Sequence, residues 1–144
     1  MKPEVFLTNS EEETIAVGQA LAGGLPPCSI VLLVGDLGTG KTTLAKGIVE
    51  GLGVATAEDV SSPTFTLIHE YGEDRKAYHV DLYRLQSAKE AYSLGLEELF
   101  ERDAVILVEW GERFPDLWPS GHFEVRLKWL GESSREIRVM PDRS

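Results

Sequence analysis

The sequence predicts an α/β fold: a single sheet, part parallel and part antiparallel, flanked by helices. Three observations predict it. Residues 30–34 are a short apolar run that leads through a glycine-rich segment into a helical pattern. Residues 104–110 hold a second continuous apolar run that ends in Glu109, the pattern of a central strand buried on both faces. Two pairs of alternating segments, 66–71 with 76–83 and 123–129 with 135–140, are joined by short turn-like links and read as antiparallel hairpins. The chain has 144 residues and is 42% hydrophobic, enough for a real core, and is expected to form one domain over residues 1–144.

Taken in order, Val5, Phe6 and Leu7 predict a short strand. Asn9 or Ser10 can cap the next helix, and Ser10 with Glu13 has capping-box spacing. Glu11, Glu12 and Glu13 then fall in the first turn, where carboxylates complement the helix dipole. Ile15, Val17 and Leu21, with Ala16, Ala20 and Ala22, are expected to give this helix its buried side. Gly23 and Gly24 end it, and Pro26 and Pro27 keep it ended. After the strand at 30–34 and the glycine-rich segment, Leu44, Ile48, Val49 and Leu52 recur with helical spacing, and Gly51 and Gly53 supply the stop. Residues 55–60 are small and polar and predict a loop. Residues 88–92 and 96–100 predict short helices on either side of Gly95. Residues 111–120, with Pro115 and Pro119, predict a loop or short helix, and the last hairpin turns around Gly131.

Composition narrows the function. No apolar run reaches the roughly 18 residues that a membrane span needs, and residues 1–13 lack a basic segment followed by an apolar one, so neither membrane insertion nor a signal peptide is expected. The lone Cys28 can form no internal disulfide, which suits a reducing cytoplasm, and is expected to pack beside the first core strand. A net charge of −10 disfavours independent binding to nucleic acid, which calls for a basic surface.

The chemistry centres on Gly35, Asp36, Leu37, Gly38, Thr39, Gly40, Lys41 and Thr42, which match G-x-x-x-x-G-K-[ST] and are followed by Thr43. Lying between a strand and a helix, this is a phosphate-binding P-loop in its proper context, so the fold class sharpens to a P-loop NTPase-like domain. Glycines bring successive backbone N–H groups against phosphate oxygens, and the helix that follows points its positive end at the same place. Lys41 adds a point charge at the β- and γ-phosphates, and the Thr42 hydroxyl is a hard oxygen ligand suited to Mg²⁺.

Hydrolysis also needs a held metal ion and a placed water. Two carboxylates are candidates. Glu109 ends a Walker-B-like apolar strand, and Asp81 ends the segment Tyr78-His79-Val80. One could support Mg²⁺ and the other orient the attacking water. Thr64 lies where switch segments often lie, and either senses the γ-phosphate or makes a local bond beside Pro63. His79 either packs structurally, the default, or serves catalysis. Trp110 either stacks near the nucleotide or fills space. Arg84 and Arg113 could clamp phosphate, although solvated surface positions are the default for them and for Arg135 and Arg138. Guanine-specific P-loop proteins use N-K-x-D, and the only asparagine, Asn9, precedes Ser10, so adenine is the expected base.

Four blocks together are far more specific than the P-loop alone: residues 35–43, Ser62-Pro63-Thr64-Phe65-Thr66-Leu67, His79-Val80-Asp81-Leu82-Tyr83-Arg84-Leu85, and Val108-Glu109-Trp110. In order and spacing they resemble the bacterial TsaE family, formerly YjeE, over essentially the whole chain. The resemblance implies a small ATPase required for N6-threonylcarbamoyladenosine at position 37 of tRNAs that read ANN codons. It implies that the protein joins a TsaB–TsaD pair, meeting tRNA only through that complex. It implies that Lys41 and the loop amides hold the phosphates of ATP, that Thr42 and Glu109 are the Mg²⁺ positions, that Asp81 is a second functional carboxylate, and that Trp110 lies beside the nucleotide. Thr14 matches a family threonine, with its role open. Thr39 stands where many members have Ala, a position that needs only a small residue.

Two other readings stand beside this one. The P-loop alone permits a small-molecule kinase, but kinases need an acceptor site and an arginine-bearing lid, and residues 86–102 are the only lid candidate. A nucleotide-sensing adaptor would bind ATP without turning it over.

Overall fold

A computed structural model describes residues 4–36, 38–60, 67–73 and 76–143, the last three by backbone. Leu37, Asp74 and the 61–66 segment that carries Thr64 lie outside the described residues, and with them the roles expected of Leu37 and Thr64.

The elements follow the chain as β1 (Glu4–Thr8), α1 (Glu11–Gly24), β2 (Ser29–Val34), α2 (Lys41–Gly51), β3 (Ile68–Tyr71), β4 (Lys76–Asp81), α3 (Ala88–Ser93), α4 (Leu96–Phe100), β5 (Ala104–Glu109), β6 (His122–Trp129) and β7 (Arg135–Arg143). The loop expected at 55–60 contains one 3₁₀ turn, and two more fill the link between β5 and β6. All seven strands form one sheet in the order β1-β7-β6-β2-β5-β4-β3. The strands β6, β2, β5 and β4 run parallel to one another, whereas β3–β4, β6–β7 and β1–β7 are antiparallel. The mixed sheet predicted from sequence is therefore what forms.

Side-chain alternation divides the core between the two faces. Val31, Leu33, Val105 and Leu107 pack with Leu44, Ile48 and Val49 of α2 on one face. Leu32, Ile106 and Val108 pack with Leu96, Leu99 and Trp118 on the other. No helix among the described residues is long and apolar enough to cross a membrane.

Three local expectations are corrected. The buried stripe of α1 is Thr14, Gly18 and Ala22, while Ala16 and Ala20 are exposed. The reason is a close helix crossing: a Cβ on Gly18 would come within 2.5 Å of the Leu44 carbonyl oxygen, and one on Gly47 within 2.1 Å of that of Ile15. Small residues at four-residue intervals thus make the contact, and hydrophobicity does not mark them. Cys28 does not pack in the core; it is exposed and donates its thiol proton to Asp103 at 3.2 Å. The strand expected to reach residue 83 stops at Asp81, whose side chain accepts from the Tyr83 N–H at 2.9 Å and turns the chain. The α1 cap forms as expected: Ser10 Oγ accepts from Glu13 N, and the Glu13 carboxylate reaches back to Asn9 N.

Candidate functional site

The site forms where β2, β4 and β5 end together. These strands are parallel neighbours, so their C-terminal ends lie on one edge of the sheet. In open α/β sheets that edge is where ligands bind.

The loop after β2 folds on itself. Thr39 donates both its N–H and its hydroxyl to the Asp36 carbonyl, at 3.2 and 2.8 Å. Gly38 and Gly40 adopt φ of 78° and 101°, which side-chain-bearing residues resist. Gly40 caps α2 in the left-handed region, and the helix starts at Lys41. The amides of the first α2 turn therefore face out of the helix toward the loop concavity.

Lys41 is 4% exposed. Its ammonium donates to the Gly35 carbonyl at 2.7 Å and lies 3.4 Å from the centre of the Trp110 indole. Burial pushes this ammonium below the ordinary lysine range, and the carboxylates of Glu109, Glu112, Asp81 and Asp36 act against that shift. Trp110 reaches this position because it leaves β5 with φ of 66°. For a bulky residue that conformation costs about 1–2 kcal/mol, a strain of the kind that gathers at functional sites. Its ring also leans on Tyr83, with centroids 5.1 Å apart. Of the two roles open for Trp110, the space it fills is against the P-loop lysine.

The parity of β4 and β5 puts Ala77, His79 and Asp81 on the same face as Val105, Leu107 and Glu109, the face that α2 covers. Glu109 is 4% exposed, and its Oε2 accepts from the Thr42 hydroxyl at 3.0 Å. A hydroxyl and a carboxylate in contact are hard oxygen donors. Among the described residues no group of three or more His, Cys, Asp and Glu forms a metal cluster. The hydroxyl and the carboxylate present fit Mg²⁺, which takes few protein ligands and completes its shell with phosphate and water. Asp81 is also 4% exposed and stands beside Glu109.

Sequence reasoning put packing before catalysis for His79, and the structure brings it against Glu109. Its ring is fully buried and its Nε2 lies 2.5 Å from Glu109 Oε2. The available signal was the H-x-D spacing, which places both side chains on one face of a strand.

The arginines divide. Arg113 is no clamp: it donates to the carbonyls of Leu82 and Tyr83, at 3.1 and 2.5 Å, and ties down the chain after β4. Arg138 pairs with Glu136 at 2.9 Å. Arg84 is exposed. Arg135 departs from its solvated default, being half-buried in the wall of a cleft of about 390 Å³ that also takes in Thr14, Gly38, Gly40 and Thr43. The Thr14 hydroxyl is engaged there with that of Thr8 at 2.9 Å.

The arrangement can receive a polyphosphate in the loop, a divalent cation at Thr42 and Glu109, and a polarised water near Asp81. Comparison with known proteins shows the family. The family model for the threonylcarbamoyl adenosine biosynthesis protein TsaE matches residues 8–137. A Bacillus subtilis protein is 40% identical, covering 95% of this chain and 85% of its own. A Nostoc protein is 42% identical over 96% of this chain and 85% of its own. Both carry the name tRNA threonylcarbamoyladenosine biosynthesis protein TsaE. The crystal structure of Bacillus subtilis YdiB superposes with a TM-score of 0.79 at 34% identity, covering 97% of this chain and 86% of that one.

Proposed function

This chain belongs to the TsaE family, and from that premise we propose that it is the ATP-hydrolysing accessory protein of tRNA threonylcarbamoyladenosine biosynthesis. Its own products are ADP and phosphate; the modification it serves lies at adenosine 37 of tRNAs that read ANN codons, and the protein acts with TsaB and TsaD. The observation that carries the ATPase reading is the contact between Thr42, at the start of the P-loop helix, and Glu109, at the end of β5.

In this reading Lys41 exchanges the Gly35 carbonyl for β- and γ-phosphate oxygens, and the amides of Gly38, Thr39, Gly40, Lys41, Thr42 and Thr43 complete the cradle with Gly35 and Asp36. Thr42 and Glu109 hold Mg²⁺, which when bound neutralises charge on the phosphates. Asp81 orients the attacking water, and its own hydrogen bond from the Tyr83 N–H supports it in a fixed pose. Trp110 lines the site beside Lys41. The acidic balance of the chain suits docking on a basic partner surface that holds the tRNA, rather than direct tRNA binding.

The test is ATP hydrolysis by the purified chain, alone and with a TsaB–TsaD pair plus tRNA, with Lys41→Ala as the blank. Slow turnover alone and stimulation by the pair, both absent in the blank, are expected. Turnover that ignores the pair, with phosphate appearing on a small molecule instead, would replace this reading with a kinase.

A further inference from the structure

We propose that His79 is a positioning residue that sets the Glu109 carboxylate against Thr42; this rests on the reading of Thr42 and Glu109 as the Mg²⁺ pair.

The geometry is specific. His79 sits in the interior of β4, with His69 of β3 opposite on one side and Leu107 of β5 on the other. Its backbone is therefore held from both sides, and its ring is 0% exposed. A carboxylate only accepts, so the imidazole N–H at Nε2 is the donor in the 2.5 Å contact with Glu109 Oε2. The same Oε2 accepts the Thr42 hydroxyl at 3.0 Å. One oxygen thus joins the P-loop helix to the middle of β4.

The other ring nitrogen argues against a packing role. Among the described residues Nδ1 has no hydrogen-bond partner although it is fully buried. Burying an unpaired polar nitrogen is unfavourable, and leucine would fill the space without it. Among the described residues the bond to Glu109 is the one polar interaction that offsets burial of this ring. A glutamate has three rotatable side-chain torsions, and nothing else among the described residues except Thr42 hydrogen-bonds to this carboxylate. Once the Thr42 hydroxyl turns to another ligand, His79 remains as the anchor that keeps Glu109 aimed at the loop. Partners of this kind behind a ligating carboxylate typically contribute 10–100-fold in metal affinity or activity.

The experiment compares His79→Gln, His79→Asn and His79→Leu. A glutamine amide nitrogen reaches the position of Nε2, whereas that of asparagine falls near Nδ1. Calorimetry with ADP, in EDTA and then in Mg²⁺, measures how much the metal tightens nucleotide binding, and thermal melts report folding. In EDTA all variants are expected to bind ADP within about twofold of wild type. The tightening by Mg²⁺ is expected to fall about tenfold or more in the leucine and asparagine variants and to recover in the glutamine variant. Full tightening in the leucine variant, or equal recovery by asparagine and glutamine, overturns the role of His79. If leucine prevents folding, the comparison of glutamine with asparagine decides alone. If Mg²⁺ fails to tighten ADP binding in the wild type itself, the reading of Thr42 and Glu109 as the metal pair fails, and this inference fails with it.

Discussion

Asp81 and Glu109 are register partners, side by side at the C-terminal ends of the parallel strands β4 and β5. Both are almost fully buried, yet they are held differently: Asp81 by a backbone N–H, Glu109 by Thr42 and His79. Two adjacent buried carboxylates repel unless each has donors of its own.

That difference separates the expected effects of the two alanine variants. Glu109→Ala should lower ATP turnover by about 100-fold or more and abolish the Mg²⁺ dependence of nucleotide binding. Asp81→Ala should lower turnover while leaving that dependence in place. Steady-state hydrolysis and calorimetry on the same preparations measure both. Wild-type turnover in both variants would remove the carboxylates from the mechanism.

Trp110 should report nucleotide binding. Its indole covers the Lys41 ammonium, which must move when phosphates arrive. ATP is expected to change tryptophan emission in the wild type and in Trp118→Phe, because Trp118 is buried with Leu96 and Leu99 and its indole N–H is held by the Gly111 carbonyl. The change should be largely lost on Trp110→Phe in a chain that also carries Trp129→Phe, because the Trp129 ring lies against Gly38 of the loop and would report there too. A signal unaltered in that variant would place the nucleotide away from this ring.

The buried ammonium of Lys41 predicts a pH effect with a definite sign. Its folded-state pKa is lowered by burial, so between that value and the unfolded value of about 10.4 the unfolded chain holds the proton more often. Wild-type stability relative to Lys41→Met should therefore rise with pH across the alkaline range and level off above about 10.4. Urea melts at pH 7, 8.5 and 9.5 test this. A constant difference would mean that the ammonium pays no desolvation penalty in the folded protein.

The crossing of α1 and α2 predicts two opposite glycine effects. Gly47→Ala forces a methyl into the Ile15 carbonyl and should destabilise by about 1–3 kcal/mol or more. Gly23→Ala meets nothing within 4 Å and should stabilise α1 by about 0.5–1 kcal/mol. Thermal melts of the two single variants decide it, and equal melting temperatures would contradict the close crossing.

The sequence by itself determined the strands, because an unbroken apolar run such as 104–108 has no stable place except between two covered faces. It also determined the P-loop, since its glycines and Lys41 act through the backbone of a contiguous segment. It named Asp81, Glu109 and Trp110 from their places at strand ends. It misjudged the small-residue face of α1, because Gly18 and Gly47 contribute by lacking a side chain, and it misplaced Cys28 for want of its contact with Asp103. Only the tertiary structure decided that Thr42, His79 and Glu109 share one carboxylate oxygen. Those residues are far apart in the chain, and their meeting depends on which strands lie side by side and in what register. Hydrophobic patterning specifies the face a residue occupies but not its neighbour on the next strand, and it is the neighbour that gives His79 a carboxylate to hold.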